Sequence, residues 1–276
     1  MPKCLSNDQV EHARREGYVV PVPVLPRVKA DYYLKHFESY ERATGQSAPN
    51  HLKVKPHLLF TWMIELGTTP ALLDAIEDLI GPNIMLVTSA IWAKNARDPH
   101  FVTWHQDSAY FGYEPMNVWG AWIGLTDSHI EHGCMRYLPR SHLSPEMAHT
   151  ETHDELNLLS RGQSIEQLND SKAVDAEVSA GEASIHHFRL AHSSKPNTSD
   201  QRRIGVLFVY CAPRVRCTLG RYPALLVRGE NSFDHWDQDP IPECDLDPEI
   251  VKYFEGFNSR YEDPGTKSEV ERAGRA

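Results

Sequence analysis

The segment Phe101-Val-Thr-Trp-His-Gln-Asp107 sets a histidine and an aspartate two residues apart, His105 and Asp107, within a run of β-forming side chains. In an extended strand, residues i and i+2 point to one face, so these two side chains converge on one point. The histidine that completes the group, His192, lies 85 residues beyond Asp107 and must arrive from another strand. After His192 comes Lys195-Pro-Asn-Thr-Ser-Asp200, a turn by composition, and then the apolar run Arg203–Cys211, a strand that opens on an arginine. A second His-x-Asp, His235-Trp-Asp237, has no histidine downstream to join it, and His-x-Glu occurs at His129-Ile-Glu131 and His153-Asp-Glu155.

The remaining pattern changes once along the chain. Ser6-Asn-Asp-Gln9 reads as a capping box opening a helix that ends at Gly17. Tyr18–Pro26, with its prolines, reads as an edge strand. Residues 28–44 look helical, and Thr69-Pro70 opens another helix that stops at Gly81. From Ile84 the text turns to short β-rich runs at 84–93, 101–105, 117–125, 134–138, 173–178, 183–188 and 203–211. Helices followed by many strands fit a mainly β fold: a double-stranded β-helix, a cupin-like jelly-roll barrel with supporting N-terminal helices. We expect one domain over 1–276, with a helical part to about 82, a jelly-roll core over about 83–215 and a C-terminal extension over about 216–276. Residues 143–172 form a long polar insertion between strands, the kind of loop that serves as a substrate lid, while its histidines His149 and His153 and the neighbouring His142 read as solvated.

Two neutral imidazoles and one carboxylate on one side of a metal leave the other side open, which suits Fe(II). The arginine adds a planar cation that holds a carboxylate at a distance from that metal. Arg202 and Arg203 point to opposite faces of a strand, so only one reaches the interior.

Around these residues stand Gly81-Pro-Asn-Ile-Met85, Trp104-His-Gln-Asp107, Ala121-Trp122, Gly133-Cys-Met-Arg-Tyr-Leu-Pro-Arg-Ser-His142, and His192-Ser-Ser-Lys-Pro-Asn-Thr-Ser with Arg203. In order and approximate spacing, over roughly residues 5–215, the chain resembles the phytanoyl-CoA dioxygenase family of Fe(II)/2-oxoglutarate oxygenases. The resemblance implies His105, Asp107 and His192 as iron ligands and Arg203 as the partner of the far carboxylate of 2-oxoglutarate. It also implies oxidative decarboxylation by O2 to succinate and CO2, and oxidation of a substrate C–H bond. Family positions suggest Trp122 and Lys53 beside the cosubstrate, although core packing fits Trp122 equally and a surface lysine fits Lys53. Ser194 is a candidate for the cosubstrate carboxylate or a turn-stabilising hydroxyl. Tyr110 and Phe111 are candidates for the substrate mouth or for core. One of His186 and His187 should face inward, and His187 is taken as the substrate candidate. Related halogenases carry Gly or Ala in place of the carboxylate, so Asp107 argues against that alternative; a jelly roll that binds metal or organic acid without turnover is the other.

Composition narrows the partners. The formal charge is −10 without a Lys/Arg cluster, which disfavours nucleic acid and points to a small-molecule substrate. An acyl-CoA would want a basic patch for its phosphates, and none is present; relatives of this kind often tailor natural products. The five cysteines are scattered without a Cys-x-x-Cys pair, as in a reduced, cytoplasmic protein. No apolar signal core or 18-residue apolar run appears, so no membrane association is expected. Oligomeric state is left open.

Overall fold

A computed structural model of the chain describes residues 2–47, 50–152, 154–159 and 163–262. Helix α1 (Asn7–Glu16) starts at the expected capping box of Ser6 and Gln9 and ends at Gly17, whose φ of 91° favours glycine. Strand β1 (Tyr18–Pro23) and helices α2 (Arg27–Thr44), α3 (Thr61–Gly67) and α4 (Pro70–Ile80) follow. The strands then run β2 (Ile84–Lys94), β3 (Val102–His105), β4 (Val118–Gly124), β5 (Met135–Tyr137), β6 (Val174–Ala176), β7 (Glu182–His187), β8 (His192–Ser194), β9 (Arg203–Cys211), β10 (Tyr222–Arg228) and β11 (Trp236–Gln238), with helix α5 (Pro248–Glu262) last.

These strands build two sheets. The larger has the order β1-β7-β4-β9-β2-β10-β11, with β1 at its edge as its prolines require. The smaller has the order β3-β8-β5-β6. This is the mainly β jelly roll with N-terminal helical support that the pattern predicts, and its structural neighbours share that fold. Alternation along β9 explains the layering. Ile204, Val206, Phe208 and Tyr210 join the cluster of side chains under α1–α4, while Arg203 and Leu207 face the space between the sheets. Trp122 of the large sheet meets Met135 and Tyr137 of the small one, closing that inner layer. Gly205 makes this possible, since a Cβ there would lie 2.0 Å from Trp122 Cζ2.

Four elements carry little sequence signal: α3, β8, and the pair β10–β11, which extends the large sheet. The C-terminal extension, weakly patterned as text, supplies these last strands and α5; residues 263–276 lie outside the described residues, as do 160–162 of the insertion and His153.

Candidate metal centre

His105 and His192 are directly opposite each other in the antiparallel pairing of β3 with β8. Their ring centroids are 4.1 Å apart. Asp107 sits just past the end of β3, as the first residue of a 3-10 turn, Asp107–Tyr110. Gln106 is still extended, with φ −117° and ψ 128°, so the i, i+2 relation holds through it. Gln106 also fixes this corner: its Nε2 donates to Arg189 O at 2.6 Å and its Oε1 accepts from Met147 N at 2.7 Å.

The ligand atoms of His105, Asp107 and His192 all lie within 4.8 Å of one another. Asp107 Oδ1 stands 3.4 Å from His105 Nε2 and 3.8 Å from His192 Nε2. On the far side of each ring, Nδ1 is 2.9 Å from a backbone carbonyl, Thr103 O for His105 and Leu190 O for His192. The carbonyl must accept from an Nδ1–H, and this assignment leaves the Nε2 lone pair of each ring turned toward Asp107. Burial, and secondly His105, depress the His192 pKa to about 3, so this imidazole is neutral at ordinary pH. Burial alone would raise the Asp107 carboxyl, but His192, His105 and His186 more than offset it and hold Asp107 ionised. Asp107 Oδ2 is buried without a hydrogen-bond partner. Two imidazole nitrogens and a carboxylate on one side of a point suit a divalent first-row ion with its other side open.

The cavity beside this group is lined by Trp92, Val102, Trp122, Leu159, Leu207 and Arg203 among others. Arg203 is 2% exposed, its guanidinium lies 5.2 Å from the Trp122 ring, and its Nε has no hydrogen-bond partner. Burial lowers its pKa to about 10, which leaves it charged at neutral pH. Among the described residues no carboxylate pairs with it; a buried cation in that position is costly, and such a group marks a place for an anion. Arg202 faces the other way and forms a two-pronged pair with Glu41, at 2.8 Å each. It is an ion pair to α2 rather than the solvated charge that pattern alone suggests.

The other candidates divide. Trp122 and Ser194 line the cavity. Lys53 does not; its Nζ donates to Leu158 O at 2.7 Å and lies over Trp92, holding the insertion against the barrel. Phe111 is outside the cavity too, stacked 5.5 Å from Tyr113 in a separate apolar cluster. Tyr110 ends the 3-10 turn, and its side chain lies outside the described residues. His187 faces outward, with Nε2 3.1 Å from Met116 O, so the inward member of the pair is His186. The reason is parity: Ala183 and Ile185 pack under the helices, and Ser184 and His186 take the inner face of β7. His142 is buried with Nε2 3.0 Å from Arg14 O, and His149 Nε2 accepts from Gln106 N at 3.0 Å, so neither is the solvated histidine expected.

Lys94, at the end of the strand before the His-x-Asp motif, has only a weak case for the site from pattern alone. It sits opposite Arg203 in the β2–β9 ladder, fully buried, with Nζ donating to Ser194 Oγ at 2.8 Å. Burial, and then Arg203, lower its pKa to about 6. The signal available was register: Lys94 ends a strand whose partner begins at Arg203.

A jelly roll with two histidines and one aspartate on one side of an open cavity defines a non-heme metal oxygenase. The phytanoyl-CoA dioxygenase family profile matches residues 3–205, and the chain belongs to that family. It is a 2-oxoglutarate-dependent non-heme iron oxygenase. It is 29% identical over 203 residues, 70% of each chain, to a probable alpha-ketoglutarate-dependent hypophosphite dioxygenase of Stutzerimonas stutzeri. It is 32% identical over 120 residues, 41% of this chain and 40% of the relative, to phytanoyl-CoA dioxygenase domain-containing protein 1 of Bos taurus. Among solved structures, the apo form of the non-heme monooxygenase ThoJ superposes with a TM-score of 0.83 at 30% identity, covering 96% of this chain and all of that one. Its nickel complex gives 0.78 at 29%, covering 95% of this chain and all of that one. No described helix is long and apolar enough to cross a membrane.

Proposed function

We propose that His105, Asp107 and His192 hold the iron, that Arg203 binds the far carboxylate of 2-oxoglutarate with Ser194 and Trp122 beside it, and that the substrate is a small uncharged organic molecule oxidised at a C–H bond. The observation that carries the reading is the buried guanidinium of Arg203, whose Nε has no hydrogen-bond partner among the described residues, in the same cavity as the three ligand side chains. The bound iron and cosubstrate supply the oxygen activation. The chain's own part is to position and to exclude water. The carbonyls of Thr103 and Leu190 orient the two imidazoles. Arg203, on its Trp122 platform, offers two parallel N–H donors to a carboxylate. Trp92, Val102, Leu159 and Leu207 make the rest of the wall apolar, which favours a C–H-rich group over a solvated one.

The same lining favours a substrate other than the hypophosphite in the name of the Stutzerimonas stutzeri relative. Among the described residues lining the cavity, Arg203 is the one Lys or Arg, and in this reading the cosubstrate takes it. The neighbouring Lys94 is tied to Ser194 Oγ and does not itself line the cavity, so the described lining offers a small oxyanion little further charge. The halogenase alternative is weakened by Asp107, which fills the position that chloride would need. The test is stimulation of 2-oxoglutarate decarboxylation by panels of candidate substrates. Uncharged organic compounds should accelerate succinate release. Hypophosphite turnover at a comparable rate would refute the assignment of substrate class.

A further inference from the structure

Among the described residues, two buried polar atoms at the metal centre lack a hydrogen-bond partner, Asp107 Oδ2 and His186 Nε2, and they face each other at 3.8 Å. The carboxylate is thus shared between two sides. Oδ1 looks toward His105 and His192, and Oδ2 looks toward His186. His186 is fully buried. It occupies room that Gly120 on the neighbouring strand leaves open, since a Cβ there would come within 2.9 Å of His186 Cε1. Behind it, Tyr137 Oη lies 3.2 Å from His186 Nδ1, and Ser184 Oγ is in short contact with the same Tyr137 oxygen. Each hydroxyl donates one proton. When Ser184 donates to Tyr137 and Tyr137 donates to Nδ1, the imidazole proton is on Nε2, facing Asp107.

We infer that His186 is a positioning residue for the metal centre: its Nε2–H claims Asp107 Oδ2, so that the carboxylate offers the metal one oxygen, Oδ1. The inference rests on the reading of His105, Asp107 and His192 as the ligand set. At 3.8 Å the two atoms are beyond hydrogen-bond range, and the torsion that closes the gap, about Cβ–Cγ of Asp107, is broad and soft. The consequence is chemical. A carboxylate binds a cation through one oxygen or both. One that used both would take an additional position from the side that must stay open for cosubstrate and oxygen. The Ser184–Tyr137–His186 chain, with Ser184 and Tyr137 donating in that order, prevents this by leaving the ring proton on Nε2 as a donor for Oδ2.

The experiment titrates the metal-free protein with Mn(II) and with Co(II), following affinity and the cobalt absorption spectrum. Loss of such an outer partner weakens metal binding by about 10- to 100-fold. His186→Leu should show that loss together with an altered cobalt spectrum. His186→Gln, whose amide still donates, should recover most of both, and Tyr137→Phe should fall between. His187→Gln, on the opposite face, should bind as the parent does. Thermal unfolding of the metal-free variants establishes that they fold. A folded His186→Leu with parental affinity and spectrum overturns the proposal. So does equal loss in His186→Leu and His186→Gln, which would mean packing and not donation. Asp107→Ala keeps the two claims apart: if it too binds Mn(II) like the parent, the ligand assignment itself has failed.

Discussion

Arg203→Met and Arg202→Met should have opposite consequences. Arg203 is 2% exposed, rests on Trp122 at 5.2 Å, and has no hydrogen-bond partner for its Nε. Its contribution appears when a carboxylate arrives. A hydrogen bond to a charged group is worth about 1.5–3 kcal/mol, and about 1.4 kcal/mol is tenfold in affinity. Arg203→Met should therefore weaken 2-oxoglutarate binding roughly 10- to 150-fold. Replacing an unpaired buried charge by an apolar side chain of similar length should leave the metal-free protein as stable as before, or more so. Arg202 is already satisfied by Glu41, at 2.8 Å twice, and by Asn95 Oδ1 at 3.0 Å. Removing it takes two charge-assisted hydrogen bonds from Glu41, which is 8% exposed, and should cost about 1–3 kcal/mol of stability without changing cosubstrate affinity. Calorimetric titration of the Mn(II)-loaded variants without oxygen measures affinity, and urea unfolding measures stability. If Arg202→Met loses 2-oxoglutarate and Arg203→Met keeps it, the assignment of the anion site is wrong.

Other outcomes follow from the same geometry. His105→Ala should abolish stoichiometric iron, whereas His235→Ala, whose Nε2 is bound to Pro213 O and Val215 O at 2.8 and 2.9 Å, should retain it; metal analysis of the purified variants decides. Lys94, with its pKa lowered to about 6, is mostly neutral at pH 7.5, and an anion beside neighbouring Arg203 favours its charged form. Cosubstrate binding at pH 7.5 should then take up a proton, less so as the pH falls through 6 where Lys94 is already charged; calorimetry in buffers of different ionisation enthalpy would show the uptake, and Lys94→Met should remove it. Leu159 brings the 143–172 insertion into the cavity wall, so Leu159→Ala should lower substrate oxidation while decarboxylation of 2-oxoglutarate without substrate persists; unchanged coupling in a product assay would make the insertion a surface excursion. Far from the metal, Asp239 joins Lys55 and lies 3.7 Å from His57, with all three side chains fully buried. Asp239→Asn should destabilise the fold by about 3–5 kcal/mol in chemical unfolding.

Much of this site was legible because local periodicity carries it. His105 and Asp107 share a face through two-residue alternation, and Arg202 and Arg203 separate for the same reason. Strands long enough to show the pattern, such as β2 and β9, could be read directly. Strand β8 could not: three residues of His-Ser-Ser have no period of their own, and they extend because β3 and β5 flank them. His186 and His187 show where alternation fails without an anchor. The period says that one faces inward, and only the register of β7 against β4 says which. Lys94 carries only a weak case in the sequence because its link to the site runs across strands, to a residue 109 positions away. Lys53 and Phe111 have suitable chemistry at suitable spacing, but the insertion and the aromatic cluster around Tyr113 hold them out of the cavity.

In the proposed site three side chains hold one iron and Arg203 holds the cosubstrate beside it. Anaerobic titration of the Fe(II)-loaded protein with 2-oxoglutarate, followed by the visible charge-transfer absorption of the iron–keto-acid chelate, tests both at once. The parent should develop the band at one equivalent, His192→Ala should not develop it, and Arg203→Met should reach it only at roughly 10- to 150-fold higher 2-oxoglutarate. A full band in His192→Ala, or a parental titration in Arg203→Met, would contradict the account.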